Sequence, residues 1–410
     1  MPSNYKRLGD YIQEVNVRNR DLNSIPLLGV SIKKVLMPSI ANIIGTDMSS
    51  YKLIQKNQFA YGPVTSRNGD KISIALLQEY DVAMVSQAYT VFEVIDGREL
   101  LPEYLMMWFR RPEFDRYARF MSHGSAREIF SWTEMRDTMI PIPSPEKQQE
   151  IVTEYNTIQN RIALNNQLIS KLEETAQAIY KQWFVEFEFP FVTSSGVEMP
   201  YKSNGGKMIW CEELEKEIPE GWRFTNLLEY SELSQGIQVE VADQFFERKE
   251  GMNRFLRIID YTPNTNEPPR YVKINDLRYY CSNDEIAMIR YGDAGTVCRR
   301  FNGIIANNLF KITPKSPITN NFLFYYLKEE NIQRLIRTSA ASSTMPAITH
   351  SAIKELPIAL PQKEQINFFD KIIQKIENEI IMKSSENQKL EELKDLLLAK
   401  MTRIENVNYI

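Results

Sequence analysis

The feature that most constrains this chain is an internal repeat with a period of about 217 residues. The first half closes on YLMMWF (104–109), MSHGSAREIF (121–130) and MIPIPSPEKQQEI (139–151), in that order. The second closes on FLFYYL (322–327), SAASSTMPAI (339–348) and ELPIALPQKEQI (355–366). A polar stretch of helix-forming residues follows each closing motif, and both stretches contain KLEE, at 171–174 and 389–392. Whatever one half folds into, the other is expected to fold into as well.

The spacing predicts long helices over about 146–184 and 362–403, with Pro145 and Pro361 just outside them. Apolar residues recur by sevens. Ile151, Ile158, Leu172 and Ile179 do so in the first helix, with Tyr155, Ile162, Ile169, Ala176 and Trp183 four places on. Phe369, Ile376, Leu390 and Leu397 do so in the second, with Ile373 and Ile380 between. Such a heptad seam predicts an antiparallel coiled-coil pair whose core is Ile151, Ile158, Ile162, Leu172, Ile179, Phe369, Ile376, Ile380, Leu390 and Leu397. Asn165 and Lys383 hold matching polar places mid-helix, where a polar residue can fix register or mark an opening of the seam.

Short strands are expected elsewhere, from KISIALL (71–77), VAMVSQAYTVFEV (82–94), EIAMIRYG (285–292) and GTVCRRFNGIIANNLFKI (295–312). A short helix pair near 102–121 and another near 319–338 complete the repeat. The expected class is α+β, with two pseudo-symmetric, β-rich domains bearing short helices. The division reads 1–145, first domain; 146–184, first long helix; 185–216, an aromatic then Gly/Ser-rich connector; 217–360, second domain; and 361–410, second long helix.

Chemistry is scarce. Three cysteines without a Cys-x-x-Cys, and two histidines, argue against a zinc site or a disulfide framework. No phosphate loop of the G-x-x-x-x-G-K-[ST] kind occurs, and no Gly-rich dinucleotide turn. NEPPR (266–270) lacks the aromatic that an amino-methyltransferase loop would carry and reads as a proline turn. No apolar run approaches the ~20 residues of a membrane span, and the first residues lack an apolar leader core, so a cytoplasmic protein is expected. The net charge is −4. Lys+Arg against Asp+Glu count 17 to 16 in 1–145, 7 to 12 in 146–218, 17 to 16 in 219–360 and 8 to 9 in 361–410. A polyanion partner would therefore need cations gathered on one face.

The string NNQLISKLEETAQAIYKQWFVEFEF (165–189), with GGKMIW (205–210), EIPEGW (217–222) and PQKEQI (361–366), resembles the conserved regions of type I restriction-modification specificity subunits. GDAGTVCRRFNGIIANNLFKI (292–312) resembles that family's glycine hairpin. GSAR (124–127) and SSTM (342–345) depart from its usual Gly-Ser-Thr. The resemblance spans essentially the whole chain. It implies a non-catalytic reader of a bipartite, asymmetric double-stranded DNA target, which positions two adenine methyltransferase subunits and can add two restriction subunits. S-adenosylmethionine, ATP and Mg2+ would then sit on those partners, with no cofactor or metal of its own. A coiled-coil adaptor without a DNA role and a self-contained methyltransferase or nuclease are the competing readings.

Base edges are read by paired donors and acceptors, and phosphates by Lys and Arg. On that chemistry the first domain offers Ser66, Arg67, Asn68 and Lys71 in TSRNGDK, with Ser125 and Arg127 in SHGSAR. The second offers Arg290, Tyr291, Arg299 and Arg300 about its hairpin, with Ser343 and Thr344. Arg299 and Arg300 are adjacent on a strand, so at most one is expected to face a groove. Lys33 and Lys34 are expected as surface charges with access to phosphate. A helix of about 40 residues is ~60 Å long, which suggests half-sites about 15–18 base pairs apart.

Overall fold

The computed structural model describes residues 5–22, 24–39, 45–66, 68, 71–124, 128–192, 196–262, 267–340 and 347–401. The chain divides into two compact units, Met1–Leu164 with Glu386–Ile410, and Asn165–Ser385. Each unit takes a portion of both long helices, Pro145–Tyr180 and Lys363–Lys400.

In the first unit, strands Ile12–Val15, Thr90–Val94, Phe59–Gly62 and Ser73–Leu76 form one antiparallel sheet in that spatial order. A second sheet runs Leu36–Pro38, Leu27–Val30, Val82–Val85, Lys52–Gln55, and its central pair is parallel. Tyr5–Arg7 pairs with Met139–Pro141 and closes the unit. Alternation drives the pairing: Phe59, Tyr61, Ile74 and Phe92 turn into one core with the helix Pro102–Arg110, while Ala60, Ala75, Val91, Ala83 and Val85 are buried on the other side. Phe59 and Phe92 stack at 4.7 Å.

The second unit repeats this strand for strand. One sheet runs Ser231–Gln235, Leu309–Pro314, Ile286–Ile289, Val297–Cys298. The other runs Arg270–Val272, Asn253–Leu256, Gly303–Ile305, Tyr280–Cys281, again with a parallel central pair. Arg223–Asn226 pairs with Pro357–Leu360 as the closing pair. Both expected helix pairs are present, Pro102–Arg110 with Pro112–Phe120 and Asn320–Leu327 with Glu330–Ala340. The sequence repeat is therefore a repeat of topology.

The first long helix begins at Pro145, whose fixed φ suits a first turn that has no use for its missing N–H. Pro145 is thus inside the helix, not outside it. The buried Gln148 side chain ties this start to the N-terminal end of the short helix Pro102–Arg110. Its Oε1 accepts from Leu101 N at 2.8 Å, and its Nε2 donates to Glu99 O at 2.8 Å and Pro143 O at 2.9 Å. The helix ends in a π-turn, Lys181–Val185. Within the first unit, Ile151, Val152 and Tyr155 pack into one core with Leu397, Leu398 and Met401, and Arg161 Nε donates to Glu386 Oε1 at 2.7 Å. Within the second unit, the Tyr180 ring lies 5.9 Å from Phe369 and Trp183 5.4 Å from Phe368. In both units the helices run antiparallel. Ile151, Ile162, Phe369 and Ile380 are buried as expected for a seam. Ile158, Leu172, Ile179, Ile376, Leu390 and Leu397 are only half-buried. Asn165 is buried mid-helix and Lys383 half-buried.

The connector is more ordered than its composition suggests. Pro190–Val192 pairs with Glu198–Pro200, and Met208–Cys211 with Lys216–Pro219. Phe189 stacks on Tyr201 at 4.5 Å and on Trp222 at 5.6 Å, so the aromatics hold the two hairpins on one small core.

Ser131 starts the helix Trp132–Asp137 with a reciprocal capping box: Glu134 N donates to Ser131 Oγ at 3.3 Å, and Ser131 N to Glu134 Oε2 at 2.7 Å. Ser131→Ala is expected to lower stability by about 1 kcal/mol. Urea denaturation checks this: an unchanged midpoint would mean that the box carries no net stability.

Candidate nucleic-acid interface

The sequence singled out two loops in each repeat, and described residues that flank them meet within each unit. In the first unit, the hairpin between Phe59–Gly62 and Ser73–Leu76 lies against the segment that follows the helix Pro112–Phe120. Thr65 N donates to Glu128 O at 3.0 Å, and Phe130 N to Pro63 O at 2.9 Å. Thr65 Oγ1 and Ser122 Oγ are 2.9 Å apart, and Ser122 Oγ also donates to Ala118 O at 2.6 Å. In the second unit, Tyr291 bridges Ala347, and Ile348 N donates to Arg290 O at 3.1 Å.

Of the residues expected in the first unit, Ser66 is exposed and Lys71 is half-buried. Asn68 turns its amide inward, with Nδ2 3.2 Å from both Val64 O and Ser73 Oγ, so it braces the hairpin. Arg67, Ser125 and Arg127, like Ser343 and Thr344 of the second unit, lie outside the described residues. Cations nearby are partly neutralised: Arg119 pairs with Glu128, and Arg116 with Glu113 at 3.3 Å. Lys34 corrects an expectation. It is buried, its Nζ 2.8 Å from Asp115 Oδ1 and bonded to Phe109 O, while Asp115 also accepts from Ile72 N at 3.0 Å. An ammonium sealed beside its carboxylate cannot reach a phosphate.

Arg299 and Arg300 require a larger correction. Arg299 is buried, and its Nη2 donates to Asn321 Oδ1 at 2.9 Å. Arg300 Nε lies 3.0 Å from Glu377 Oε2, and its Nη1 bonds Glu173. Both reach toward the same carboxylate, with Arg299 Nη1 3.6 Å from Glu377 Oε1. Arg300 has φ +78°, which breaks the strand alternation that would have sent the pair to opposite faces. Neither faces a groove; they fasten the sheet to the long helices of their unit.

Arg290 and Tyr291 stay at the hairpin, both half-buried, with the guanidinium 4.9 Å over the Tyr291 ring. Gly295 makes the turn possible: its φ is +92°, and a Cβ there would sit 2.7 Å from Ile336 Cγ2. Side chains that the sequence did not single out individually also gather at these loops: Thr65 and Ser122 in the first unit, Gln235, Asn308 and His350 in the second. They come from segments 42 or more residues apart, with no short-range pattern linking them. Burial lowers the His350 pKa, and Arg290 and Lys354 lower it further, so its imidazole is neutral at neutral pH. Among the described residues no group of His, Cys, Asp and Glu could hold a metal ion. No helix there is long and apolar enough to cross a membrane.

Two sheet-rich units thus share one topology, and each is joined to an antiparallel pair of helix segments. The family model for the type I restriction modification DNA specificity domain matches residues 32–174 and 256–393. The chain belongs to that family and is a specificity subunit by class, a non-catalytic DNA-recognition component of type I restriction-modification. It is 22% identical over 452 residues to the specificity subunit of the type I restriction enzyme HindI of Haemophilus influenzae, covering 96% of this chain and 97% of the relative. It is 23% identical over 320 residues to the specificity subunit of the enzyme MjaIX of Methanocaldococcus jannaschii, covering 75% and 70%. The crystal structure of the type I restriction-modification S subunit from M. genitalium superposes with a TM-score of 0.56 at 13% identity, covering 97% of this chain and 95% of that one. That likeness extends to the fold.

Proposed function

We propose that this chain reads a bipartite, asymmetric DNA target, one half-site per unit, and holds two adenine methyltransferase subunits on it, with restriction subunits joining that complex. The observation that carries this reading is the pairing of one topology with two different loop sets. A duplicated scaffold keeps the presentation constant. TSRNGDK (65–71) and SHGSAR (122–127) against RYGDAGT (290–296) and SSTM (342–345) change what is presented. On this reading, the recognition regions are 1–145 and 217–360. Their contacts come from Ser66, Arg67, Lys71, Ser125, Arg127, Arg290, Tyr291, Ser343 and Thr344, without Arg299 and Arg300, and without Asn68, whose amide is spent inside its hairpin. S-adenosylmethionine, ATP and Mg2+ belong to the partners, and the assembly works in the cytoplasm. The near-neutral charge of both recognition regions makes affinity depend on the partners' cations as well.

The test is to express the chain with its methyltransferase subunit and map methylated adenines genome-wide. Two short unlike half-sites with a fixed unread spacer are expected. Lys71→Ala should weaken binding almost uniformly across sequences and lower the salt slope by about 1. Arg67→Ala should relax one half-site and leave the other alone. A single continuous motif, or equal change in both half-sites, would overturn the divided reading.

A further inference from the structure

We infer that Arg290 reads a guanine in the half-site of the second unit and that Gln235 is the positioning residue that aims it. The inference rests on the reading of this chain as a DNA-target reader and deepens it to one side chain and one base. Most half-buried or buried cations of this unit have a carboxylate. Arg254 and Arg257 share Asp260, Arg299 and Arg300 share Glu377, and Lys311 faces Glu285. Arg290 has none among the described residues. Its Nη1 donates 3.3 Å to the neutral Gln235 Oε1, and its buried Nε has no acceptor. Two further polar atoms beside it are buried and unpartnered, Asn308 Oδ1 and His350 Nε2. Unsatisfied polar groups of this kind are costly unless a ligand completes them.

Backbone hydrogen bonds hold the residue through both its N–H and its carbonyl. Arg290 N donates to Asn308 O at 2.9 Å, and Arg290 O accepts from Ile348 N at 3.1 Å. The guanidinium plane rests on Tyr291. Gln235 is itself fixed, because its Nε2 donates to Leu309 O at 3.1 Å and to Asn307 O. Gly236, next along, lets that strand end lie flush on Ala306, where any Cβ would come within 2.1 Å of a carbonyl oxygen. A cation held by a neutral acceptor keeps its full charge and donors for an incoming group. A planar fork with spare N–H donors matches the O6 and N7 acceptors of guanine, the most frequent specific arginine contact in the major groove. Arg270, which also has no carboxylate partner among the described residues, lies 3.6 Å over the exposed Phe246 ring.

The experiment uses the full chain assembled with its methyltransferase subunit and a synthetic duplex carrying the target mapped for the wild type. That target is expected to contain a guanine in the half-site of the second unit. Replacing it with 7-deazaguanine, which lacks the N7 acceptor, should weaken wild-type binding. Arg290→Ala should weaken binding to the unmodified duplex by roughly 5- to 150-fold, the range of one bidentate pair, and should be insensitive to the 7-deaza change. Arg290→Lys keeps the charge and should retain binding to unrelated duplex while losing the preference for guanine. Gln235→Leu should reduce the discrimination between guanine and 7-deazaguanine, and Gln235→Asn should restore part of it. Uniform weakening across sequences with a smaller salt slope would make Arg290 a phosphate contact and overturn the inference. Unchanged discrimination in Arg290→Lys would do the same. Wild-type binding with no sequence preference at all would instead overturn the DNA-reading role itself.

Discussion

Phe369→Ala is expected to destabilise the second unit by about 3–5 kcal/mol. The ring is fully buried on the second long helix. It meets Phe184 at 5.1 Å, Tyr180 and Trp183 at 5.9 Å each, and Tyr325 at 6.4 Å. Tyr180, Trp183 and Phe184 come from the end of the first long helix, and Tyr325 from the short helix Asn320–Leu327, so one side chain joins three elements. Truncation leaves a cavity walled by rings that cannot collapse onto it, which adds to the lost transfer energy. Phe369→Leu keeps most of the volume and should cost clearly less. Urea denaturation followed by tryptophan fluorescence would measure both. Equal midpoints for wild type and Phe369→Ala would mean that the rings rearrange to fill the gap.

Phe369 also shows why the helices were legible from sequence. It stands 218 residues after Ile151, as Ile376 stands after Ile158 and Ile380 after Ile162. Periodic apolar spacing is a local property of a helix, and a repeat doubles the signal. The strands within 71–94 and 285–312 were legible for the same reason, since their alternation is local. The half-burial of Leu172 and Leu390 was not legible. A heptad states which residues can share a seam, whereas a seam's tightness depends on what the neighbouring sheet adds to it.

The candidate site was legible in part. Both loops of each repeat could be read as polar interruptions between apolar runs, and described residues that flank them meet within each unit. What each side chain does there depends on partners far along the chain. Asn68 braces its own hairpin through Ser73. Arg290 owes its setting to Gln235, 55 residues earlier, and Arg300 owes its role to Glu173 and Glu377, 127 and 77 residues away. Arginine is equally suited to a guanine, a phosphate or a buried carboxylate, and composition within a loop cannot choose among them.

The buried carboxylate that claims those arginines should carry the second large effect. Glu377 has a side chain 1% exposed. It accepts from Arg300 Nε at 3.0 Å and Nη2 at 3.2 Å and from Tyr325 Oη at 2.6 Å, with Arg299 close by. Glu377→Leu removes the acceptor and leaves Arg299 without its carboxylate, at an expected cost of about 3–5 kcal/mol. Glu377→Gln keeps the shape and one acceptor and should cost less. The first unit has neutral Gln159 at the position 218 residues before Glu377, so the effect should be confined to the second unit. A pH signature separates charge from packing. Burial pushes the Glu377 carboxyl up, but the hydrogen bonds and positive charge of Arg300 and Arg299 outweigh it, so its pKa falls below the usual value. A carboxyl depressed in the folded state adds stability that is present above its unfolded pKa and lost as pH drops through the folded one. Wild type should therefore shed an increment of stability below about pH 4.5 that Glu377→Gln, having no proton to take up, does not shed. Denaturation midpoints measured from pH 7 to pH 3 would show the two curves converging toward acid. Parallel curves would mean that the cluster holds the sheet to the helices by packing alone.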